Sequence, residues 1–326
     1  MQPPDRRPRR LRRTPALRRA FAETTLPASA LVLPVFVAAD LDEPVPVASL
    51  PGVFQHSVAS AARLAEDCVA AGVGGVILFG LPAGKDPVGS SGWDPAGPVP
   101  RALEAIRAAV GEELVLWADV CQCEYTDHGH CGPLDATGQV DNDAAVEGYV
   151  RDALAYAAAG ADLVAPSGMM DGQVAAIRRG LDAEGAAHVG IVAYAAKYAS
   201  AFYGPFRDAA GSSMVSGDRA GHQLDPANAR EAARELDLDA AEGADALMVK
   251  PALAYLDVVA EARRRHALPV AAYHVSGEYA MVHAAAERGW IDGEAALRES
   301  VLSIRRAGAD LVLTYAALEL ARGATR

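Results

Sequence analysis

Residues 246–275 read ALMVKPALAYLDVVAEARRRHALPVAAYHV and contain the unit that decides the fold. The stretch begins with an apolar run at 246–251 and ends with a second one at 269–275, and apolar residues recur at helical spacing between them, at 252–266. Two such runs joined by a helix are typical of neighbouring parallel strands. The stretch therefore predicts one strand–helix–strand unit.

The same unit recurs along the whole chain. Eight apolar, β-branched runs are predicted as strands, at 31–37, 75–80, 114–120, 163–168, 190–197, 246–251, 269–275 and 311–316. Alanine-rich amphipathic stretches between them are predicted as helices, for example at 57–72, 101–110, 143–159, 226–242, 252–266, 279–288 and 294–307. Eight such units in roughly 300 residues fit an α/β fold of the closed (β/α)8 kind, a TIM barrel.

A doubly wound open sheet is the alternative fold. It would carry a glycine-rich phosphate-binding turn after its first strand, and the segment LPVFVAADLDEP at 33–44 has no glycine. Because no internal linker is visible, we predict one catalytic barrel domain, 26–326, preceded by an arm, 1–25. Two connections, 121–140 and 198–225, are too long for turns and are typical of lids or ligand platforms.

Composition excludes several classes of protein. Of the 326 residues, 51% are hydrophobic, which is ample for a packed core. No apolar run reaches the roughly 18 residues that span a bilayer, and the N-terminus is charged where a signal peptide would be apolar. We therefore expect a cytoplasmic protein with no membrane partner. The net charge of -12 opposes nucleic-acid binding.

The N-terminal arm has the opposite charge to the rest of the chain. Residues 1–20 contain eight arginines and one acid, so they carry +7 and the other 306 residues carry -19. Such an arm can bind nucleic acid, act as a transit peptide, remain a solvated tail or lie across an acidic neighbouring subunit. The absence of serine argues against a transit peptide, and the lack of aromatic residues argues against base stacking. We favour contact with a neighbouring subunit.

Lysine is rare in this chain, which has 27 arginines and three lysines, Lys85, Lys197 and Lys250. A lysine amine can lose its proton and form a Schiff base, which arginine cannot easily do. Lys197 and Lys250 end adjacent predicted strands, about 4.8 Å apart, where charge repulsion and burial would lower a lysine pKa. The pair predicts carbonyl chemistry; pairing with carboxylates or phosphates is the alternative.

Other polar residues also lie at strand ends, where TIM barrels place their chemistry. Four follow or close predicted strands: Asp119, Ser167, Ser276 and Tyr315. The hydroxyls of Ser276 and Tyr315 can hold a carboxylate, and capping and core packing are the alternatives. In the connection 198–225, Arg207 and Arg219 can clamp a second carboxylate, although exposed arginines often only solvate a loop.

Three cysteines lie within the loop DVCQCEYTDHGHCG after the third predicted strand. The thiols of Cys121, Cys123 and Cys131 suit zinc, and the lack of a fourth cysteine indicates an open, catalytic position. A closed structural site completed by His128 or His130 is the alternative. Cys68 lies in a predicted helix and is interpreted as a small buried residue.

The ordered motifs of the chain resemble the 5-aminolevulinate dehydratase, or porphobilinogen synthase, family nearly from end to end. They include RPRRLRRTPALRR, ILFGLP, DVCQCEYTDHGHCG, APSGMMDG, YAAKYASAFYGPFRDAAGSS, EGADALMVKPALAYLD, PVAAYHVSGEYAM and RAGADLVLTYAA. The resemblance implies a TIM-barrel lyase of tetrapyrrole (heme) biosynthesis, which condenses two molecules of 5-aminolevulinate to porphobilinogen with loss of two waters. It also implies a homo-octamer, with the arm wrapping a neighbouring subunit.

The resemblance assigns a role to each candidate residue. It implies that Lys250 forms the Schiff base with the first substrate and that Lys197 engages the second. The first substrate would be held by Ser276 and Tyr315 at its carboxylate and by Asp119 and Ser167 beside its amino group. The second carboxylate would be held by Arg207, Arg219 and Gln223. The metal ligands would be Cys121, Cys123 and Cys131 for zinc and Glu235 for magnesium.

Four positions depart from the family pattern, namely Met214, Val215, His222 and Ala316. They bear on lid packing and affinity, since every expected nucleophile and ligand is present. A class I aldolase on the same barrel is the nearest rival enzyme, and it leaves the three-cysteine loop unexplained. A non-catalytic barrel that uses zinc only for structure is the rival from another class.

Overall fold

The computed structural model describes residues 6–215 and 217–324 of the chain. Residues 1–5 of the predicted arm lie outside the described part. The described chain contains ten strands: β1 (Leu31–Ala38), β2 (Val45–Pro46), β3 (Phe54–His56), β4 (Gly75–Leu81), β5 (Val115–Val120), β6 (Leu163–Pro166), β7 (Gly190–Lys197), β8 (Ala246–Lys250), β9 (Val270–His274) and β10 (Leu311–Thr314).

Helices connect these strands. Within the described residues they are α1 (Pro15–Ala20), α2 (Val58–Ala71), α3 (Pro98–Val110), α4 (Asn142–Ala158), α5 (Gln173–Ala183), α6 (Gly204–Ala209), α7 (Ala229–Glu242), α8 (Leu256–Arg265), α9 (Ser276–Glu287), α10 (Gly293–Ala307) and α11 (Ala317–Ala324). Short 3-10 helices lie at Pro8–Arg12, Ala28–Ala30, Ser90–Gly92, Ala201–Tyr203 and Leu253–Tyr255. None of the described helices is both long and apolar enough to cross a membrane.

Eight of the strands form a closed parallel ring. Its order is β1, β4, β5, β6, β7, β8, β9, β10, and β10 pairs again with β1, where Leu31 lies opposite Val312. The TIM-barrel prediction is confirmed, and the open-sheet alternative is wrong because an open sheet would leave β1 and β10 unpaired. Every residue of β1, β8 and β9 is buried, as expected for strands covered by helices on one side and barrel interior on the other.

Local signals fix where several helices begin. Ser57, Asp141 and Asp292 each precede a helix, and each side chain accepts a hydrogen bond from a backbone N–H of the first turn. Helix α2 ends at Gly72, whose left-handed backbone (φ 75°) suits glycine. These caps explain why the predicted and observed bounds of these helices agree within a few residues.

Some elements were not predicted. Strands β2 and β3 form a small antiparallel hairpin beside the end of β1, and with two and three residues they are too short to show periodicity. Helix α6 lies inside the connection 198–225, where the sequence pattern predicts a long loop. Pro205 occupies its first turn, where proline is tolerated because no intrahelical partner is needed for its missing N–H.

The described part of the arm packs little against its own barrel. The 3-10 helix Pro8–Arg12 and helix α1 contain no buried residue. Two apolar side chains, Leu11 and Phe21, remain 50% and 56% exposed. Apolar side chains in such a position are available for contact with another surface.

Candidate active site

The two candidate lysines lie side by side at the carboxyl end of the barrel. Lys197 is the last residue of β7 and Lys250 the last residue of β8, and the two are register partners in the sheet. Both are 4% exposed. They line one narrow cavity together with Phe79, Asp119, Cys123, Glu124, Ser167, Tyr203, Phe206 and Arg219.

A bulge in β7 produces this register. Ala193 pairs with Leu247 and Ala196 with Val249, so β7 advances by three residues over a stretch in which β8 advances by two. Without the extra residue, Ala196 would stand opposite Lys250. The bulge therefore places the two lysines opposite each other in the sheet. Bulges next to active sites commonly reorient side chains in this way.

Aromatic rings surround the Lys250 amine. Its Nζ lies 4.3 Å from the ring centre of Tyr273, 5.0 Å from those of Tyr194 and Phe206, and 5.5 Å from that of Tyr203. Burial, and then the charge of Lys197, lower the pKa of Lys250 to about 7. A large share of Lys250 is thus a neutral, nucleophilic amine near neutral pH.

Lys197 has a different environment. Its Nζ donates a hydrogen bond to the backbone oxygen of Ser167. Burial alone would lower the pKa of Lys197, but the charges of Cys121, Cys131 and Asp119 outweigh that effect and raise it. Two chemically identical side chains therefore differ in protonation near neutral pH, with Lys197 a charged donor and Lys250 in large part a neutral amine.

Asp119 interacts electrostatically with both lysines. Its Oδ2 accepts a hydrogen bond from Ser167 Oγ at 2.9 Å, and its buried Oδ1 has no partner in the described chain. Burial, and then Cys121, raise the pKa of Asp119 to about 6, while Lys250 and Lys197 pull it down. Asp119 is thus an acceptor with one oxygen available to a ligand in the cavity.

The three cysteines of the loop after β5 form one buried cluster. The Sγ atoms of Cys121, Cys123 and Cys131 lie within 4.8 Å of one another, and the thiols are not in disulfides. Hydrogen bonds from the Cys123 and Cys131 thiols hold the pKa of Cys121 well below its usual range. Three soft, converging sulfur ligands fit a thiophilic metal such as zinc.

The histidines of the same loop do not complete this cluster in the part of the chain that the structure describes. The His128 ring is held elsewhere, since its Nδ1 accepts a hydrogen bond from His130 N and its Nε2 lies 3.2 Å from Pro87 O. Cys68 is fully buried in α2, as predicted. The arrangement favours the open site over the closed one.

The connection 198–225, here called the lid, supplies hydrogen-bond donors beside the cavity. Arg219 is only 5% exposed, and its Nη2 donates to Gly129 O and Ser212 O at 2.9 and 3.2 Å. Arg219 Nε, Arg207 Nε and Gln223 Nε2 are buried and have no partner among the described residues. For Arg219, the view that it only solvates a loop is wrong, because solvation requires exposure. Buried unpaired donors indicate a site for an anionic ligand.

Ser276 and Tyr315 are not among the described residues that line this cavity, and Tyr315 lines a separate cavity with Leu33, His56 and Tyr279. Ser276 begins α9, and its Oγ accepts a hydrogen bond from Phe206 N at 3.0 Å and donates to Phe202 O at 3.3 Å. The Tyr315 hydroxyl lies 3.3 Å from that of Tyr273, whose ring faces Lys250. The Ser276 hydroxyl thus contacts Phe206, which lines the cavity, and the Tyr315 hydroxyl contacts Tyr273, which lies beside the Lys250 amine.

Glu235 lies on α7, away from the cavity lining. Burial, and then Asp171, raise its pKa above the usual range. On the same helix, burial and the carboxylates of Glu242 and Glu235 raise the pKa of Asp239 to about 8. Carboxylates gathered in this way gain from a cation or a proton.

Sequence reasoning missed several residues that line the cavity or surround the Lys250 amine. Glu124 follows the second cysteine of the motif, and its Oε2 lies 3.2 Å from Cys123 Sγ. Tyr273 lies in β9, two residues before Val275. Because alternate residues of a strand share one face, alternation could have placed Tyr273 on the inner face. Tyr194 could not be found in this way, because the bulge between Ala193 and Ala196 breaks the alternation in β7.

The fold and the site together define a TIM-barrel enzyme with two buried lysines in one cavity, beside a cluster of three cysteines that could bind a metal. A family model described as delta-aminolevulinic acid dehydratase matches residues 5–323. The chain belongs to the delta-aminolevulinic acid dehydratase family, and it is a lyase. The family resemblance seen in the sequence is confirmed.

Individual relatives agree with this assignment. The chain is 59% identical to the delta-aminolevulinic acid dehydratase of Mycobacterium tuberculosis (strain H37Rv) over 320 residues, 98% of this chain and 97% of that one. It is 52% identical to that of Escherichia coli (strain K12), over 97% and 96% of the two chains. The crystal structure of the Toxoplasma gondii ME49 enzyme, in complex with its reaction product porphobilinogen, is 45% identical with a TM-score of 0.95 and covers 98% of this chain and 92% of its own.

Proposed function

We propose that this chain condenses two molecules of 5-aminolevulinate to porphobilinogen, with loss of two waters, as a step of tetrapyrrole biosynthesis. The observation that carries the proposal is the pairing of Lys197 and Lys250 in one buried cavity, with the pKa of Lys197 raised and that of Lys250 lowered to about 7. The aldolase alternative uses one such lysine and leaves the cysteine cluster without a role. Two lysines and a metal-binding cluster suit two carbonyl substrates held together.

Lys250 is assigned to the first substrate. Its neutral amine attacks the ketone carbon, a C–N bond forms, and the ketone oxygen leaves as water, which produces an imine. Ser276 and Tyr315 are assigned to the carboxylate of this substrate, and Asp119 and Ser167 to its amino group. The free Oδ1 of Asp119 supports the last assignment.

Lys197 is assigned to the second substrate, which supplies the acetate side of the product. Its charged amine can donate a hydrogen bond to a developing negative charge. The buried, unpaired donors of Arg207, Arg219 and Gln223 support their assignment to the second carboxylate. Holding both substrates in one cavity removes much of the entropic barrier to C–C and C–N bond formation.

Zinc is proposed as the metal, held by Cys121, Cys123 and Cys131. When bound, it would act as a Lewis acid that polarises and orients the second substrate. Magnesium is proposed at Glu235, supported by the neighbouring carboxylates of Asp171, Asp239 and Glu242. A cytoplasmic location is proposed because a reducing compartment keeps clustered thiols available for metal.

The direct test is product formation. Purified protein given 5-aminolevulinate and zinc should release porphobilinogen, identified by mass spectrometry and NMR. Because the pKa of Lys250 is lowered to about 7, the neutral, reactive form of its amine is lost below that pH and predominates above it. The rate of imine formation, followed by borohydride trapping, should therefore rise through about pH 7 and level off, whereas an unperturbed lysine would still be gaining reactivity near pH 10.

Two results would contradict these expectations. If no porphobilinogen forms at any pH with zinc present, the proposed reaction is wrong. If the product forms but trapping keeps rising up to about pH 10, the lowered pKa of Lys250 is wrong while the reaction stands.

A homo-octamer is proposed, in which the arm of one subunit contacts the acidic body of another. The exposed Leu11 and Phe21 and the +7 charge of residues 1–20 support this contact. Deletion of residues 1–20 should lower the mass of the assembly, measured by light scattering with size-exclusion chromatography. Replacing Leu11 and Phe21 with serine should act in the same direction, since both changes remove apolar contact area. An unchanged mass after the deletion would remove the role of the arm.

A further inference from the structure

Glu278 joins two connections at the catalytic end of the barrel. Its side chain is fully buried in the first turn of α9. Its Oε1 accepts hydrogen bonds from the backbone N–H groups of Leu253 and Ala254, at 2.9 and 3.2 Å. Its Oε2 accepts one from Val275 N at 3.0 Å. One carboxylate therefore holds the connection after β8 and the connection after β9.

Each of these connections carries a residue of the site. Leu253 lies three residues after Lys250, the proposed imine-forming lysine. Val275 precedes Ser276, whose hydroxyl binds the backbone of the lid at Phe206 and Phe202. The carboxylate thus lies between the segment that ends with the nucleophile and the segment that anchors the lid.

The close packing of α9 against the lid extends this arrangement. A Cβ added at Gly277 would lie 2.5 Å from Phe202 O and 2.8 Å from its Cα. Only glycine lets the backbone of the lid approach α9 so closely. The start of α9 therefore contacts the lid through Ser276 and Gly277 and the lysine connection through Glu278.

We propose that Glu278 is a positioning residue, which fixes the carboxyl end of β8, and with it Lys250, relative to Ser276 and the lid. The proposal rests on the proposed function, since it assigns Lys250 to the first substrate and Ser276 to its carboxylate. Glu278 itself does not line the described cavity. It acts through the two connections that it bonds.

A capping role alone does not account for these contacts. A glutamate at this position of a helix commonly accepts the N–H of the residue before the helix, here Val275. Glu278 also receives two N–H groups from a segment more than twenty residues away, and its charge is buried to do so. Burial raises the pKa of Glu278 to about 7, and these backbone donors oppose that shift. The bridge therefore offsets part of the cost of burying this carboxylate.

Two substitutions separate bridging from capping. Glu278→Gln keeps the size but offers one acceptor oxygen and one NH2 group, so one connection meets a donor in place of an acceptor. Glu278→Asp keeps the charge and can still cap its own helix, but it is shorter by about 1.5 Å, one carbon–carbon bond, and cannot reach both connections. Glu287→Gln makes the same change on an exposed glutamate of the same helix and serves as the control.

The measurement is the rate constant at which borohydride traps 5-aminolevulinate on Lys250, together with the final fraction of labelled chains. Glu278→Gln and Glu278→Asp should each lower the rate constant by on the order of 100-fold, the effect of a misplacement near 1 Å. The final labelled fraction should match that of wild type and Glu287→Gln. A role in stability alone would lower the labelled fraction but leave the rate constant of the remaining chains unchanged.

Other outcomes lead to distinct conclusions. If wild type itself forms no adduct, the proposed function fails, whatever the variants do. If wild type is labelled and Glu278→Asp reacts at the same rate, Glu278 only caps α9 and the positioning role is wrong. If Glu278→Gln does not fold, the aspartate variant decides. If neither variant folds, Glu278 belongs to the fold and not to the site, which also overturns the proposal.

Discussion

Lys250→Ala should abolish the covalent adduct that borohydride forms between the protein and 5-aminolevulinate. In the wild-type protein, Lys250 Nζ forms the imine, water leaves, and hydride reduces the C=N bond, so the protein gains the mass of one substrate less one water plus two hydrogens. Because alanine has no amine, turnover should also fall by on the order of 10⁴-fold or more, as expected for loss of a covalent nucleophile. Intact-protein mass spectrometry and peptide mapping measure the adduct.

Three companion variants make this result specific. Lys250→Arg keeps the positive charge and most of the volume, and it should be as inactive as alanine because a guanidinium does not form the imine. Lys197→Ala should keep the adduct on Lys250 but lose turnover, since Lys197 is assigned to the second substrate. Lys85→Ala changes an exposed lysine outside the described cavity and should leave the adduct intact. An adduct that survives Lys250→Ala would refute the assignment of the nucleophile.

Removal of the metal should stop turnover while the fold remains. The cysteine cluster belongs to one loop, whereas the barrel is closed by pairing of its strands around the whole ring. A chelator should therefore reduce porphobilinogen formation by about 100-fold or more, the size of effect expected when a Lewis acid worth several kcal/mol is lost. Addition of zinc should restore it. Circular dichroism before and after chelation checks the fold.

Matched cysteine variants localise this effect. Cys121→Ser should reproduce the chelated state, because the hydroxyl is a poor ligand for a metal that prefers thiolates. Cys68→Ser changes an equally buried thiol outside the cluster and should leave the zinc requirement unchanged. Full activity in metal-free protein would refute the catalytic role of zinc. Unfolding on chelation would instead support the non-catalytic barrel whose zinc is structural.

The fold could be predicted largely from the sequence, because each strand is an apolar run and each helix an amphipathic one. All eight barrel strands lie where the periodicity placed them, with ends that differ by one or two residues. The β2–β3 hairpin and helix α6 were missed for physical reasons. The hairpin strands are too short for a period, and α6 is a single short helix whose Phe206 is buried by neighbours distant in sequence.

The site could be predicted only in part. The lysines and Asp119 were predicted from their places at strand ends, and the cavity contains all three. Ser276 follows its strand as expected, but its place at the start of α9 and its hydrogen bond to the lid were not predicted. Arg219 is buried and donates hydrogen bonds to the backbone of Gly129 and Ser212. Neither the position of Arg219 in the sequence nor its residue type reveals these contacts.

The sequence by itself determined the barrel, the side chains offered at the carboxyl ends of its strands, and the thiols that can bind a metal. Periodicity and residue type are local properties, so the order of residues is sufficient to show them. Only the tertiary structure decided that the pKa of Lys250 is lowered to about 7 while that of Lys197 is raised. The reason is that a pKa depends on burial and on neighbouring charges, and here a bulge in β7 and a loop of distant cysteines supply both.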